Sequence, residues 1–272
     1  MLIFELMAIT LIITVYKDYQ ALTKVLDSVL RQSILPSHVI LAHDAIDPAI
    51  QHVISEYKNR LKLTHIDQED TGFNKNRILN KAILAAEHDK IVFIDGDCIL
   101  HPKFIAAHQQ YIAPGVFTAG RRLDLDSTSS NRIRTQGIET LSLFQLLINK
   151  TKRIEEGIYF PGAPCQKNKA VRLLGCNMGW HIDDLMALNG FDMDYMLPGY
   201  GEDTDIEFRA HRKGMKSINL RWKAIQYHLF HERPEREEDV KQSRILFESK
   251  KEQGYFFCEH GISTLQHQFP HE

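Results

Sequence analysis

Between residues 9 and 94, short β-branched runs alternate with stretches whose apolar residues recur at helical spacing. No other feature constrains the fold as strongly. Ile9 to Val15 reads as a strand, and Leu22, Val25, Leu26, Val29 and Leu30 then mark one face of a helix. Val39 to Ala42 is a second strand ending near Asp44, residues 47–60 a helix, and Leu61 to Ile66 a third strand. After Thr71-Gly72, the positions Ile78, Leu79, Ala82, Ile83 and Ala86 give another helix face. Ile91 to Ile94 is a continuous apolar run, as expected of a central parallel strand covered on both sides. A β-α-β-α order of this kind predicts an α/β, doubly wound and mostly parallel sheet with right-handed crossovers.

Beyond about residue 120 the alternation stops. Residues 121–135 are polar and charged and read as a mobile loop, 136–150 as helical, and 157–175 as a Gly- and Pro-rich connection. Leu185 to Leu188 suggests a short helix stopped by Asn189-Gly190, and Thr204 to Arg212 another that ends at Gly214. Residues 232–253 are highly charged and include an exposed helix. The expected division is one domain over 1–235, with a nucleotide-binding half to about 120 and an acceptor half from about 121. A charged helical extension covers 236–272.

The formal net charge of -2 gives no electrostatic reason to invoke nucleic acid. Cys98, Cys165, Cys176 and Cys258 form no C-x-x-C pair, which argues against a zinc ribbon or disulfide scaffold and fits a reducing, cytoplasmic setting. The apolar start, residues 1–15, is interrupted by Glu5 and is too short to span a bilayer. It reads as a buried first strand with a short extension.

Asp95-Gly96-Asp97 follows Phe93-Ile94 directly, at the carboxyl end of what should be a central strand, where open α/β sheets bind ligands. Residues two apart in extended backbone point the same way, so both carboxylates can face one cation, and hard oxygen donors suit Mg²⁺ or Mn²⁺. Gly96 keeps the rim open to close backbone approach. The plain alternative is an Asp-Gly turn capping a strand. His228 is a candidate nitrogen ligand to the same cation, with His231 in competition, and an imidazole shifts the preference toward Mn²⁺.

Gly72 to Arg77 opens a helix whose free N–H groups suit phosphate, with Lys75 or Arg77 adding a direct contact. Asp44 is placed either to accept from a nucleobase imide or simply to make a turn. Glu202 and Asp203 follow a Gly- and aromatic-rich loop and start a helix, where a carboxylate is favoured electrostatically. Asp203 is therefore expected to stay ionised and to accept a proton. Capping of that helix is the bland reading of the same pair.

Together these motifs resemble glycosyltransferase family 2 over roughly residues 8–235. The pieces are Thr10 to Tyr16, Leu41 to Asp44, Asn76-Arg77, Phe93 to Asp97 and Gly201 to Asp203, in the family's order. Gly175 to Gly179, Asn189 to Phe191, Gly201 to Asp203 and Tyr227-His228 are similar to the carboxyl-terminal region of chondroitin-polymerase-type and β-1,4-galactosyltransferase-type enzymes. The resemblance implies a GT-A fold with a Rossmann-like nucleotide half fused to an acceptor half. It implies inverting, metal-dependent transfer from a UDP-sugar to a glycan hydroxyl in cell-surface polysaccharide or glycolipid synthesis, with galactose or N-acetylgalactosamine type favoured and glucose-type donors open. Asp97 and His228 would hold Mn²⁺ (or Mg²⁺), Asp95 would contact the metal or ribose, and Asp203 of the Glu202-Asp203 pair would be the base. Asp44 would face the uracil, and backbone near Thr14 and Tyr16 would line the nucleotide pocket. A membrane-borne acceptor would allow peripheral association at the inner face of the membrane.

Two departures matter. Ala42-His43-Asp44-Ala45 lacks the usual Asp-Gly-Ser continuation, and Tyr200-Gly201 stands where Trp-Gly is common. Trp180 is a candidate substitute platform for a sugar, or else a core aromatic. The rival functions are a phosphohydrolase of the haloacid-dehalogenase type, with Asp183-Asp184 as its second acidic pair, and a catalytically silent nucleotide-sugar or glycan-binding protein. Three strand-like units before Asp95 speak against the hydrolase.

Overall fold

The computed structural model describes residues 8–138, 143–149, 151, 153–167, 171–232 and 236–268. The extension at residues 1–7, and residues 139–142 within the stretch expected to be helical, lie outside them.

Strands β1 (Ile9–Val15), β2 (His38–His43), β3 (Leu63–Asp67) and β4 (Lys90–Asp95) form the parallel half of an eight-stranded sheet. Its order is β3-β2-β1-β4-β9-β6-β10-β8, where β6 is Val116–Ala119, β8 Gln166–Lys167, β9 Met178–His181 and β10 Lys216–Asn219. Strand β9 runs antiparallel between β4 and β6. Alternation explains the two cores. Ile9, Leu11, Ile13, Val92 and Ile94 point to one apolar cluster, whereas Ile12, Ile91 and Phe93 point to the other.

Helices α1 (Tyr19–Leu30) and α2 (Ile50–Tyr57) cover the first face, and α3 (Lys75–Leu84) the second. The Asp18 carboxylate caps α1 by accepting from the Ala21 N–H at 3.0 Å. Helix α2 is shorter than the 47–60 expected, because the Asp47 side chain folds back on the Ala49 N–H in a turn. Helix α4 (Phe104–Tyr111) follows the short strand β5 (Cys98–Leu100).

The mobile loop expected at 121–135 is instead strand β7 (Arg121–Asp124) and helix α5 (Ser127–Gln136). The missed signal is a cap: Asp126 accepts from the Ser129 N–H at 2.8 Å, and Ile133, the helix's single apolar residue, is buried. So polar a segment still folds because β7 has a partner. Strand β11 (Ile225–His228) lies between β5 and β7 in a separate three-stranded sheet. After α6 (Leu143–Ile148), the chain reaches α7 (Ile182–Ala187), stopped by the left-handed pair Asn189-Gly190, and α8 (Glu202–Arg212). Helices α9 (Glu237–Gln253) and α10 (Ile262–Gln268) complete the described chain.

Candidate active site

The small sheet brings together residues that are far apart in sequence. Its register sets His228 opposite Cys98 on one side and Asp124 on the other. Asp97 immediately precedes Cys98, and its carbonyl accepts from the Leu229 N–H at 2.9 Å. The His228 Nε2 lies 3.4 Å from an Asp97 oxygen, and the His231 Nε2 lies 3.1 Å from the same oxygen. The two histidines read from sequence as competitors therefore converge on one carboxylate. Ligand atoms of Asp97, His228 and His231 all lie within 4.8 Å of one another.

Burial alone would raise the Asp97 carboxyl, but hydrogen bonds from both imidazoles hold it well below the usual range. Burial likewise opposes the imidazolium of His228, yet Asp124 and Asp97 outweigh it and raise this group to about 9. Asp124 reaches His228 Nδ1 at 3.2 Å and forms an ion pair with the Arg122 guanidinium at 2.9 Å. Such an outer carboxylate orients an imidazole and leaves its other nitrogen for an ion. One carboxylate and two imidazoles, clustered and oriented in this way, fit a divalent transition metal better than Mg²⁺.

Asp95 faces elsewhere. The Thr14 hydroxyl donates to it at 2.6 Å and Lys75 Nζ at 2.9 Å, and it is not one of the clustered ligand atoms of Asp97, His228 and His231. Gly96 is required beside it: its N–H donates to the Thr14 carbonyl at 2.7 Å, and a Cβ would lie 2.9 Å from that oxygen. Lys75 also lies 3.6 Å from Glu202, which joins the strand-end motif to the later acidic pair. Burial pushes the Glu202 carboxyl up to about 7, against the pull of Lys75. Asp203 is raised by burial too, despite accepting from the Gly175 N–H at 3.2 Å. The expectation of a simply ionised Asp203 omitted this burial, which offsets the favourable helix terminus.

On the nucleotide side, the buried Asp44 accepts from the Gln68 side chain at 2.7 Å and from the Asn74 N–H at 3.1 Å. Tyr16 is largely exposed, with its hydroxyl 3.3 Å from Asp70, and Arg77 is half-buried in α3. Trp180 is no sugar platform. It is fully buried and stacked on Phe117 with ring centroids 4.5 Å apart. Asp184 is occupied structurally, accepting from the Gly115 N–H at 2.8 Å. A cavity of about 580 Å³, lined by Arg122, Asp124, Leu174 and Phe230 among others, adjoins the Asp97 cluster. Sequence reasoning missed Asp124 and Gln68, since neither lies in a motif and only strand register brings them to the site.

A sheet with this topology, carrying acidic groups along its carboxyl edge and a later acidic helix start, is a GT-A fold, and solved GT-A enzymes superpose on it. S. aureus TarS in complex with UDP-GlcNAc matches with a TM-score of 0.61 at 15% identity, over 90% of this chain and 66% of that one. The mannosyltransferase PcManGT from Pyrobaculum calidifontis, in complex with GDP-Man and Mn²⁺, matches at 0.60 and 16% identity, over 90% and 64%. The chain belongs to glycosyltransferase-like family 2, whose model matches residues 7–243. A curated relative, validoxylamine A glucosyltransferase of Streptomyces hygroscopicus subsp. limoneus, is 22% identical over 223 residues, 76% of this chain. The chain spans 48% of that relative's length. Among the described residues no helix is long and apolar enough to cross a membrane.

Proposed function

We propose that this protein transfers a sugar from a UDP-sugar to a glycan hydroxyl with inversion at the anomeric carbon. The observation that carries the reading is Lys75, which bridges Asp95 and Glu202 and so places the strand-end acids and the acidic helix start in one site. Residues to about 120 form the nucleotide half and those from about 121 the acceptor half. Asp44, with the backbone at Thr14 and Tyr16, lines the base and ribose pocket. Lys75 and Arg77 supply positive charge to the diphosphate, and Asp95 serves the ribose or the metal.

Asp97, His228 and His231 would hold Mn²⁺, which neutralises charge on the departing diphosphate. The acceptor oxygen attacks the anomeric carbon opposite the UDP, the bond to the β-phosphate oxygen breaks, and UDP leaves with the electron pair. Asp203 takes the hydroxyl proton. A carboxylate raised by burial is a better base near neutral pH than one left at its ordinary value. The cavity beside the cluster is large enough for a sugar ring and its neighbour. The resemblance favours galactose or N-acetylgalactosamine as the donor sugar and a membrane-borne polysaccharide or glycolipid acceptor, and the free cysteines favour a cytoplasmic setting.

The test is glycosyl transfer with Mn²⁺, a panel of UDP-sugars and glycan acceptors, each variant being compared with the parent. Transfer that survives Asp203→Asn would remove the base assignment. Phosphate release from simple phosphoesters without sugar transfer would favour the hydrolase.

A further inference from the structure

The charged extension after residue 236 grips the loop that delivers the acidic pair. On α9, Arg244, Phe247 and Lys250 recur at a spacing of three and share one helix face. The Arg244 guanidinium sits 5.3 Å from the Tyr200 ring centroid, and the Phe247 ring meets Tyr200 edge-on at 5.9 Å. Phe247 is itself buried, and it also meets Phe208 of α8 edge-on at 5.8 Å. Lys250 pairs with the buried Asp192 and, at 2.6 Å, with Asp194.

Past the helix the grip continues. Tyr255 donates to Asp205 on the first turn of α8, and His260 lies 2.8 Å from Asp194. Within the loop, Gly201 has φ +113, and a Cβ there would lie 2.1 Å from the Tyr195 ring. Tyr195 in turn has Lys250 Nζ 5.7 Å from its ring centroid. The side chains of Asp192, Asp194, Tyr195 and Tyr200 thus all meet residues 244–260, while the Asp192 carbonyl is held from the other side by the Asn76 side chain of α3 at 2.7 Å.

We propose that residues 244–260 are a positioning element for acceptor binding, acting through Arg244 and Phe247 on Tyr200 and so on the approach of a carbohydrate hydroxyl to Asp203. This rests on the glycosyl-transfer reading above. The donor contacts at Thr14, Asp44, Lys75 and Asp97 are on other elements, so weakening the clasp selectively weakens acceptor use. Arg244 is exposed, which makes Arg244→Ala a mild test, and Arg244→Lys retains the cation.

The experiment compares the parent with Arg244→Ala, Arg244→Lys and Phe247→Ala in two measurements on the full chain. In the first, hydrogen exchange is followed without substrate. Residues 192–203 should lose protection in both alanine variants, while 90–97 do not change. In the second, UDP-galactose and UDP-N-acetylgalactosamine are used as donors with p-nitrophenyl glycosides as acceptors. Arg244→Ala should raise the acceptor KM about tenfold with a donor KM within about twofold of the parent, and Arg244→Lys should restore most of the difference. An unchanged acceptor KM, or acceptor and donor KM rising together, overturns the proposal. Absence of transfer by the parent itself counts against the function reading instead. In that case unchanged exchange in residues 192–203 still overturns the clasp.

Discussion

His228 stands between two carboxylates, with Nδ1 3.2 Å from Asp124 and Nε2 3.4 Å from Asp97. Asp124 thereby selects which nitrogen is left for a metal and fixes the plane of the ring. Outer carboxylates of this type typically contribute about 10- to 100-fold to metal affinity. Asp124→Asn should weaken Mn²⁺ binding by a factor in that range while leaving the thermal unfolding midpoint close to the parent's. Titration of the free Mn²⁺ signal by electron paramagnetic resonance measures it. Affinity unchanged within a factor of two would show that Asp124 has no part in orienting the ligand.

Metal binding should also expel protons. In the metal-free protein, His228 is raised to about 9 by Asp124 and Asp97 against the effect of burial, and His231 is raised by its hydrogen bond to Asp97. The His228 imidazole is therefore protonated at neutral pH and that of His231 is shifted toward its protonated form, and a metal must displace the protons they hold. Affinity for Mn²⁺ should climb about tenfold per pH unit for each proton displaced, flattening as pH passes the pKa values of the two rings. Calorimetry at pH 7 in two buffers of different ionisation enthalpy reads the proton release directly. Identical heats in both would contradict the linkage.

How much of this was readable from the chain depends on the distance over which the signal acts. Ile9 to Val15 and Ile91 to Ile94 announce buried parallel strands because both their faces are covered, and the acids that end β4 follow within the same short run. Asp203 is legible for a similar reason, since a Gly-rich loop and a helix start are local events. The pairing of β11 with β5 and β7 is not local, and it alone sets His228 against Asp97 and Asp124. Strand β7 also lacks the apolar alternation that marks a half-buried strand, with only Leu123 of its four residues buried. Trp180 stays open in the sequence between platform and core for the opposite reason: an aromatic in a glycine-rich context offers no sign, by itself, of being stacked inside the second core cluster.

The assignment of Asp203 as base leads to a separation of binding from chemistry. Asp203→Asn keeps the side-chain volume and an oxygen able to accept from Gly175, but it cannot take a proton. Turnover should fall by about 10²- to 10⁴-fold, the range usual for loss of a general base. Binding of UDP in the presence of Mn²⁺ should stay within about threefold of the parent, because the mutated group is not a donor ligand. Asp97→Ala should do the reverse and abolish the Mn²⁺ dependence of UDP affinity. Equilibrium binding and initial rates on the same preparations check both. Equal losses of binding in the two variants would mean that Asp203 belongs to the donor site.

Glu202 makes stability depend on pH in a direction opposite to that of a salt-bridged surface carboxylate. Its folded-state value of about 7 lies above the ordinary 4.5, because burial outweighs the attraction of Lys75. The folded protein then binds this proton more tightly than the unfolded chain does. The resulting stability is fully present below pH 4.5 and is lost as pH rises through about 7. At 1.36 kcal/mol per unit, the loss at pH 8 is on the order of 3 kcal/mol in the ligand-free protein. Glu202→Gln mimics the protonated form. It should match the parent near pH 4.5 and exceed it by that amount at pH 8, in urea unfolding followed at several pH values. A variant that is less stable than the parent at pH 8 would show that the Lys75 ion pair, not burial, dominates at this position.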